Sequence, residues 1–165
     1  IMALTADRYA ELTELCRRFR IDVLTAIHAA QSGHPGGSLS VCEILTYLYQ
    51  EHMNLDASKP TDPDRDRLVL SKGHAAPMLY RNLAEKGFFP VEEMMTLRRM
   101  GGLAGHPSMH TPGVEMPGGP LGQGFPAAQG MAIALKLNGS PAKVYAVLGD
   151  GDHVDAVLPL SLIHI

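Results

Sequence analysis

The first thirty residues carry apolar side chains three or four positions apart. This series comprises Leu12, Leu15, Phe19, Val23 and Ile27. Such spacing places the apolar side chains on one face of an α-helix, so it predicts a long amphipathic helix over residues 6–31. Ser32 and Gly33 follow the series and are expected to end the helix.

Shorter apolar segments, bounded by glycine, proline or asparagine, predict the remaining elements. Ser40 and Glu43 have the spacing of a helix-capping box, which predicts that a second helix begins there. The predicted helices after the first cover residues 40–53, 75–86, 90–99 and 123–137. The β-prone runs 67–71 and 144–148 predict two strands, the second of them buried. Strands that alternate with helices are typical of an α/β protein with a parallel sheet.

Length and composition favour a single globular domain without a nucleic-acid or membrane partner. A chain of 165 residues is long enough to bury a core within one domain. Its formal net charge of −3 argues against a nucleic-acid partner, which usually requires a basic surface. No apolar run reaches transmembrane length, so no membrane partner is expected. The two cysteines, Cys16 and Cys42, fall within predicted helices and are interpreted as reduced thiols of a cytoplasmic protein.

The second half of the chain is unusually rich in glycine next to predicted strand and helix ends. Gly149-Asp150-Gly151 directly follows the second predicted strand. A carboxylate at that position is suited to a hard cation, although a tight turn with a capping Asp is an alternative. The run Gly119-Pro120-Leu121-Gly122-Gln123-Gly124 opens a predicted helix, whose free N–H groups suit an anion. The run matches neither the dinucleotide fingerprint nor the Walker A loop.

Three of the eight histidines directly follow a glycine in predicted loops: His34, His74 and His106. Single histidines in loops are usually surface or capping residues. Three in one local context could bind zinc, but their spacing lacks a compact ligand pair. They could instead line a polar substrate pocket, where imidazoles donate hydrogen bonds and transfer protons near neutral pH.

Six motifs, in this order and spacing, resemble transketolase. They are Ser32-Gly33-His34-Pro35-Gly36-Gly37-Ser38-Leu39-Ser40, Asp64-Arg65-Asp66-Arg67-Leu68-Val69-Leu70-Ser71-Lys72-Gly73-His74, Gly105-His106-Pro107, Thr111-Pro112-Gly113-Val114-Glu115, Gly119-Pro120-Leu121-Gly122-Gln123-Gly124 and Gly149-Asp150-Gly151. The resemblance covers about residues 5–151. The Gly36–Ser40 version is similar to the N-terminal subunit of split transketolases.

The resemblance implies the thiamin-diphosphate-binding α/β fold, with a parallel sheet flanked by helices. It further implies that this chain is the diphosphate-binding half of that fold, in truncated form. Family members move a two-carbon ketol unit from a ketose phosphate to an aldose phosphate. The cofactor acts as electron sink, and the protein orients it and supplies charge and protons.

The resemblance also assigns roles to particular residues. Asp150 would bind Mg²⁺ (or Ca²⁺), with Gly149 and Gly151 beside the diphosphate. The remaining cofactor contacts would come from His74, Gly119, Pro120 and Leu121. His34, His74 and His106 would be the catalytic residues, facing the thiazolium and the substrate hydroxyls.

Two departures from the family pattern shape the expected domain organisation. Residues 152–165 do not resemble the family's continuation, so we expect a cofactor domain over 1–151 and an off-family tail over 152–165. The pyrimidine-binding half, with the Glu that activates the aminopyrimidine, is not in this sequence. The implied partners are phosphosugars and a C-terminal transketolase subunit or section, in a homodimer or heterotetramer. By itself the chain is expected to be inactive.

Three alternatives to transketolase itself remain open at this point. The first is another thiamin-diphosphate ketol transferase, such as dihydroxyacetone synthase or a sulfosugar or pentulose transketolase. The second is a non-catalytic fragment or regulatory module with the same fold. The third is a zinc-dependent hydrolase built on the three Gly-His loops, which metal analysis would separate from a thiamin-dependent enzyme.

Overall fold

The computed structural model describes residues 4–153, and it begins with the long helix that the apolar spacing predicts. Helix α1 spans Ala6–Ala30, and its apolar face is buried at Leu12, Cys16, Phe19, Val23, Ala26 and Ile27. The Thr5 hydroxyl accepts a hydrogen bond from the Arg8 amide and caps the first turn. Gln31 ends the helix in the left-handed region with φ of 51°. The prediction of a long amphipathic helix is confirmed.

Two short helices follow where one was predicted. Helix α2 covers Pro35–Leu39, and helix α3 covers Cys42–Tyr47 and continues into a π-helical turn over Leu48–His52. The predicted capping box is wrong, because Val41 precedes α3 without any side-chain cap. The Ser40 hydroxyl belongs to the turn after α2 instead, where it donates a 3.0 Å hydrogen bond to the Gly37 carbonyl.

The two predicted strands form a parallel pair at the centre of the described residues. Strand β1 covers Arg67–Leu70 and strand β2 covers Val144–Val147. Arg67 pairs with Val144, and Leu70 pairs with Val147. The carboxyl ends of both strands therefore lie at the same edge of the sheet. In β2 only Val147 is buried, so the prediction of a buried second strand holds for its end alone.

Helices α4 (Ala76–Lys86) and α5 (Gly124–Leu137) agree with their predicted positions. The predicted helix after Pro90 is instead a 3₁₀ turn over Val91–Thr96. Leu97 leaves it in an extended conformation and is buried in the core, and Arg98 follows with φ of 58°. The chain therefore reverses before an α-helix can form. Further 3₁₀ turns cover Gly73–Ala75 and Asp150–His153.

Helix α4 is the most deeply buried element, since every residue from Ala76 to Ala84 is inside. It packs against α1, where the Arg81 guanidinium lies 4.2 Å from the centre of the Phe19 ring and forms a 2.6 Å ion pair with Asp22. Both cysteines are free thiols, as predicted, and both are buried. Burial raises the pKa of Cys42 to about 12, so this thiol stays protonated and unreactive at neutral pH.

Candidate functional site

The three Gly-His loops meet at one place in the fold. His34 precedes α2, His74 lies in the 3₁₀ turn after β1, and His106 lies in the loop after Leu103. The ring centres of His34 and His74 are 5.7 Å apart, and those of His34 and His106 are 6.4 Å apart. Three residues far apart in sequence are thus close enough to contact one small molecule.

Glycine and tyrosine residues fix the positions of two of these histidines. A side chain on Gly37 would place its Cβ 2.3 Å from Cδ2 of His74, so only a glycine lets the imidazole pack there. The hydroxyl of Tyr80, on buried helix α4, donates a 2.6 Å hydrogen bond to the main-chain oxygen of His106. The rigid core therefore holds the loop that carries His106.

The surroundings keep His74 and His106 in their neutral forms. Burial lowers the pKa of His74, the positive charge of Lys72 lowers it further, and His34 and His106 do so whenever they are protonated, while Asp152 acts in the opposite direction. The pKa of His106 is lowered by burial, then by Arg98 and His34. A neutral imidazole can both accept a proton and donate a hydrogen bond, which suits both rings to proton transfer near pH 7.

The loop before α5 lies directly on the turn after β1. A Cβ on Gly73 would lie 2.8 Å from the Gly119 nitrogen and 3.1 Å from the Gly118 carbonyl carbon. The Gly118 amide donates a 2.9 Å hydrogen bond to the Pro107 carbonyl, which ties the same loop to the His106 segment. Gly119 itself has open space on the side where a Cβ would be, so its backbone is accessible to a ligand.

The turn after β2 is the last segment of the candidate site, and it lies beside the loop before α5. A Cβ on Gly151 would lie 2.9 Å from Cδ1 of Leu121, so the Gly-Asp-Gly turn and the loop before α5 are neighbours. Pro120, Leu121 and Asp150 are exposed. The predicted cofactor-contacting residues therefore lie around the histidine cluster, on the carboxyl edge of the sheet, where open α/β sheets bind ligands.

No group of three His, Cys, Asp or Glu side chains within residues 4–153 is arranged to hold a metal ion. Asp150 is the only residue to which we assigned a metal ligand role, and its carboxylate is available in an exposed position. The rings of the three histidines are neighbours, but they do not form a compact ligand set. The zinc-hydrolase alternative gains no support from this arrangement.

Two charged residues at the site received no role from the sequence. Lys72 is only 8% exposed, and its ammonium donates a 2.9 Å hydrogen bond to the Ser40 hydroxyl. None of the ion pairs within residues 4–153 includes Lys72. The carboxylate of Asp152 is fully buried beside Gly149. The only sequence signal for either residue was its position next to a Gly-rich motif.

These features fit an anionic cofactor. The Lys72 ammonium supplies a positive charge on the buried side of the turn after β2. Lys72 lies next to Gly149, since a Cβ on Gly149 would be 3.5 Å from the Lys72 Cβ. Accessible glycine backbone and an exposed carboxylate lie around the same point. This combination of positive charge, main-chain groups and one exposed carboxylate is suited to a diphosphate with its cation.

Comparison with known proteins identifies the family. The family described as "Transketolase, thiamine diphosphate binding domain" matches residues 12–157. A 6-deoxy-6-sulfo-D-fructose transketolase subunit from Clostridium sp. (strain MSTE9) is 52% identical over 122 residues, which is 73% of this chain and 44% of that protein. Mouse transketolase is 43% identical over 143 residues, covering 86% of this chain and 23% of the mouse protein.

Solved structures agree with the sequence matches. Transketolase from Campylobacter jejuni superposes with a TM-score of 0.86 at 33% identity, over 91% of this chain and 25% of that one. The fold is that of the thiamin-diphosphate-binding α/β domain of transketolases. The chain belongs to the transketolase family, as its motifs predicted. It spans less than half of the sulfofructose transketolase subunit and about a quarter of mouse transketolase.

Within residues 4–153, no helix is both long enough and apolar enough to cross a lipid bilayer.

Proposed function

We propose that this chain supplies the diphosphate-binding half of a thiamin-diphosphate-dependent transketolase. The complete enzyme would transfer a two-carbon ketol unit from a ketose phosphate to an aldose phosphate. The observation that carries the proposal is the convergence of His34, His74 and His106, with ring centres 5.7 and 6.4 Å apart. They meet beside the two glycine-rich turns, at the carboxyl edge of a parallel sheet.

Thiamin diphosphate, when bound, supplies a nucleophilic carbon and an electron sink for cleavage of the donor sugar. In our proposal, Asp150 binds the Mg²⁺ (or Ca²⁺) that neutralises the diphosphate. The backbone at Gly149 and Gly151 approaches the diphosphate, and Lys72 adds a positive charge on the buried side. The backbone of Gly119, Pro120 and Leu121 contacts the ring portion of the cofactor.

In our proposal, the three histidines transfer protons and orient the substrate. Because the pKa values of His74 and His106 are lowered, each ring is neutral and can take a proton from a substrate hydroxyl at a ring nitrogen. Together with His34, they also orient the sugar by donating hydrogen bonds. In our proposal His74 contacts both the cofactor and the substrate, since its ring lies against Gly37 and near His34, while its segment also carries Lys72.

The remaining partners follow from the same proposal. Phosphosugars are the substrates, and a C-terminal transketolase subunit or section supplies the other half of the active site. The complete enzyme is then a homodimer or a heterotetramer. Two of the similar proteins are themselves named as subunits, the sulfofructose enzyme and an apulose-4-phosphate transketolase subunit from Phocaeicola vulgatus. We place the enzyme in the cytoplasm, which the two free cysteines support.

A second candidate concerns the donor sugar. The 52% identity with the sulfofructose transketolase subunit favours a sulfosugar or another unusual ketose as the natural donor. In our proposal the three histidines contact hydroxyls that these ketoses share.

A chimera tests the proposal in an assembled enzyme. Residues 12–151 of this chain would replace the matching part of the Clostridium sulfofructose transketolase subunit, and the product would be combined with the rest of that enzyme. We expect thiamin-diphosphate- and Mg²⁺-dependent consumption of xylulose 5-phosphate, apulose 4-phosphate or 6-deoxy-6-sulfofructose in the presence of an aldose phosphate. A chimera that assembles normally but consumes none of the three ketoses would contradict the proposal.

A further inference from the structure

The carboxylate of Asp152 is the only acidic group within residues 4–153 that is completely inaccessible to solvent. Its Oδ1 accepts a 2.6 Å hydrogen bond from the Ser71 hydroxyl and a 2.8 Å bond from the Gly122 amide. Its Oδ2 accepts a 2.6 Å bond from the Gly149 amide. One side chain therefore contacts three separate segments of the chain.

These three segments carry most of the candidate site. Ser71 follows β1 and belongs to the same segment as Lys72 and His74. Gly122 closes the loop that includes Gly119, and Gly149 opens the turn that includes Asp150. No other described side chain hydrogen-bonds to all three segments.

We propose that Asp152 is a positioning residue that fixes these three segments relative to one another and so shapes the cofactor site. The proposal rests on the proposed function for what the site binds, but the linkage itself concerns the protein alone. Asp152 would not contact the cofactor. It would act through the glycine backbone at positions 122 and 149 and through the segment that begins at Ser71.

The chemistry of the contacts explains why a carboxylate is required. All three partners donate, and an ionised carboxylate has only acceptor sites. An Asn side chain has the same shape but turns one oxygen into a donor, which would face an N–H group in either orientation. A buried main-chain N–H left without an acceptor is costly. The Gly122 amide is buried, so the Asn substitution would disrupt at least one of these contacts.

Asp150 and Asp152 thus have opposite environments although they are two positions apart in one 3₁₀ turn. Asp150 is exposed, as a ligand for an incoming metal ion must be, whereas Asp152 is buried among main-chain donors. The resemblance of the Gly-Asp-Gly motif ends before Asp152 and gives it no role.

Amide hydrogen exchange of the full 165-residue chain tests the linkage directly. In Asp152→Asn we expect the Gly122 and Gly149 amides to exchange at least about tenfold faster, while amides in the core of α4 change by less than about twofold. Asp56→Asn is the matched control, because the Asp56 carboxylate also accepts two hydrogen bonds, both from Ser58, but lies on an exposed loop. It should leave the Gly122 and Gly149 amides unchanged. Unchanged exchange at both glycines in Asp152→Asn would overturn the proposal.

Ser71→Ala keeps the test valid if Asp152→Asn does not fold. This variant leaves the carboxylate in place but removes the hydroxyl that anchors Oδ1 to the β1 segment, so we expect a smaller but measurable increase in exchange at Gly122, whose acceptor is then held less firmly. No increase there would overturn the proposal.

Binding separates the positioning role from a purely structural one. In the chimera described above, extended to include residue 152, Asp152→Asn should raise the Kd for thiamin diphosphate with Mg²⁺ by about tenfold. Asp56→Asn should leave that Kd unchanged. Faster exchange with an unchanged Kd would overturn the positioning role. If the unsubstituted chimera binds no thiamin diphosphate, the proposed function fails, and the exchange data alone then decide whether Asp152 links the three segments.

Discussion

The imidazole of His74 lies against the Cα of Gly37, so closely that a Cβ at Gly37 would be 2.3 Å from Cδ2 and 2.8 Å from Nε2 of the ring. The neighbouring glycine, Gly36, has open space at the same point. Helix α2 thus approaches His74 through one particular glycine. This contact sets the distance between His74 and His34, which precedes the same helix.

Gly37→Ala should therefore damage the site, and Gly36→Ala should not. The added methyl group must displace the His74 ring, because the clash is well below normal contact distance. We expect turnover of the assembled chimera to fall by about tenfold or more in Gly37→Ala, the scale of a misplaced catalytic group. Gly36→Ala should remain close to the unsubstituted protein. Equal losses in the two variants would show that the effect belongs to helix α2 as a whole.

The clustered histidines should differ from a helical one in their effect on catalysis. Alanine at His34, His74 or His106 should lower turnover by about 10²-fold, the usual contribution of an acid–base group. His28 lies on the exposed face of α1, so His28→Ala should keep full activity. Steady-state kinetics and thermal unfolding would be measured on all four variants. A similar loss of activity in His28→Ala would indicate general destabilisation.

The lowered pKa of His74 has a consequence for stability. Below about pH 6.5 the unfolded chain takes up a proton at this residue more readily than the folded protein, since burial and Lys72 disfavour the charged ring. Stability is therefore lost as the pH falls below that value. His74→Gln cannot take up this proton, so its free energy of unfolding should fall less between about pH 7.5 and 5.5.

Urea unfolding of the wild-type protein and of His74→Gln at several pH values provides the measurement. A pH dependence in His74→Gln as steep as in the wild-type protein would contradict the assigned environment of the ring.

Substitution by alanine should lower the thermal stability of the protein at Gly73 but not at Gly119. Gly73→Ala places a methyl group 2.8 Å from the Gly119 backbone, which cannot move aside easily, so the variant should lose stability by several degrees in Tm. Gly119→Ala meets nothing within 4 Å and should unfold at the wild-type temperature. If Gly119 contacts the cofactor, as we propose, its variant should still bind thiamin diphosphate less tightly. Normal binding by Gly119→Ala would remove Gly119 from the contact set.

The helical periodicity of this chain predicts its structure where packing is regular. Helix α1 follows its apolar spacing from Ala6 to Ala30, because one face meets a continuous core. The spacing fails where a local contact competes with the pattern. Ser40 has the right distance from Glu43 for a capping box, but its hydroxyl bonds to Gly37 and Lys72 instead. Gly37 belongs to the preceding helix α2, and Lys72 is 32 residues away, so the spacing of Ser40 and Glu43 reveals neither contact.

The histidines of the site could be found from sequence because each follows a glycine and matches a family motif. The roles of Lys72 and Asp152 could not, because they depend on long-range contacts. Lys72 reaches Ser40, and Asp152 reaches Ser71, Gly122 and Gly149. These contacts form only when β1 and β2 pair and bring their carboxyl ends together. The boundary predicted after residue 151 stays a prediction.

Direct titration of thiamin diphosphate tests the central claim, that the turn after β2 holds the metal and diphosphate of the cofactor. The assembled chimera would be titrated by calorimetry with and without Mg²⁺, in the wild-type sequence and in Asp150→Asn. We expect Mg²⁺-dependent binding that Asp150→Asn weakens at least tenfold, about 1.4 kcal/mol, because the amide keeps the shape but loses the charge that bridges the metal. Binding that needs no Mg²⁺ and is unchanged in Asp150→Asn would contradict the account.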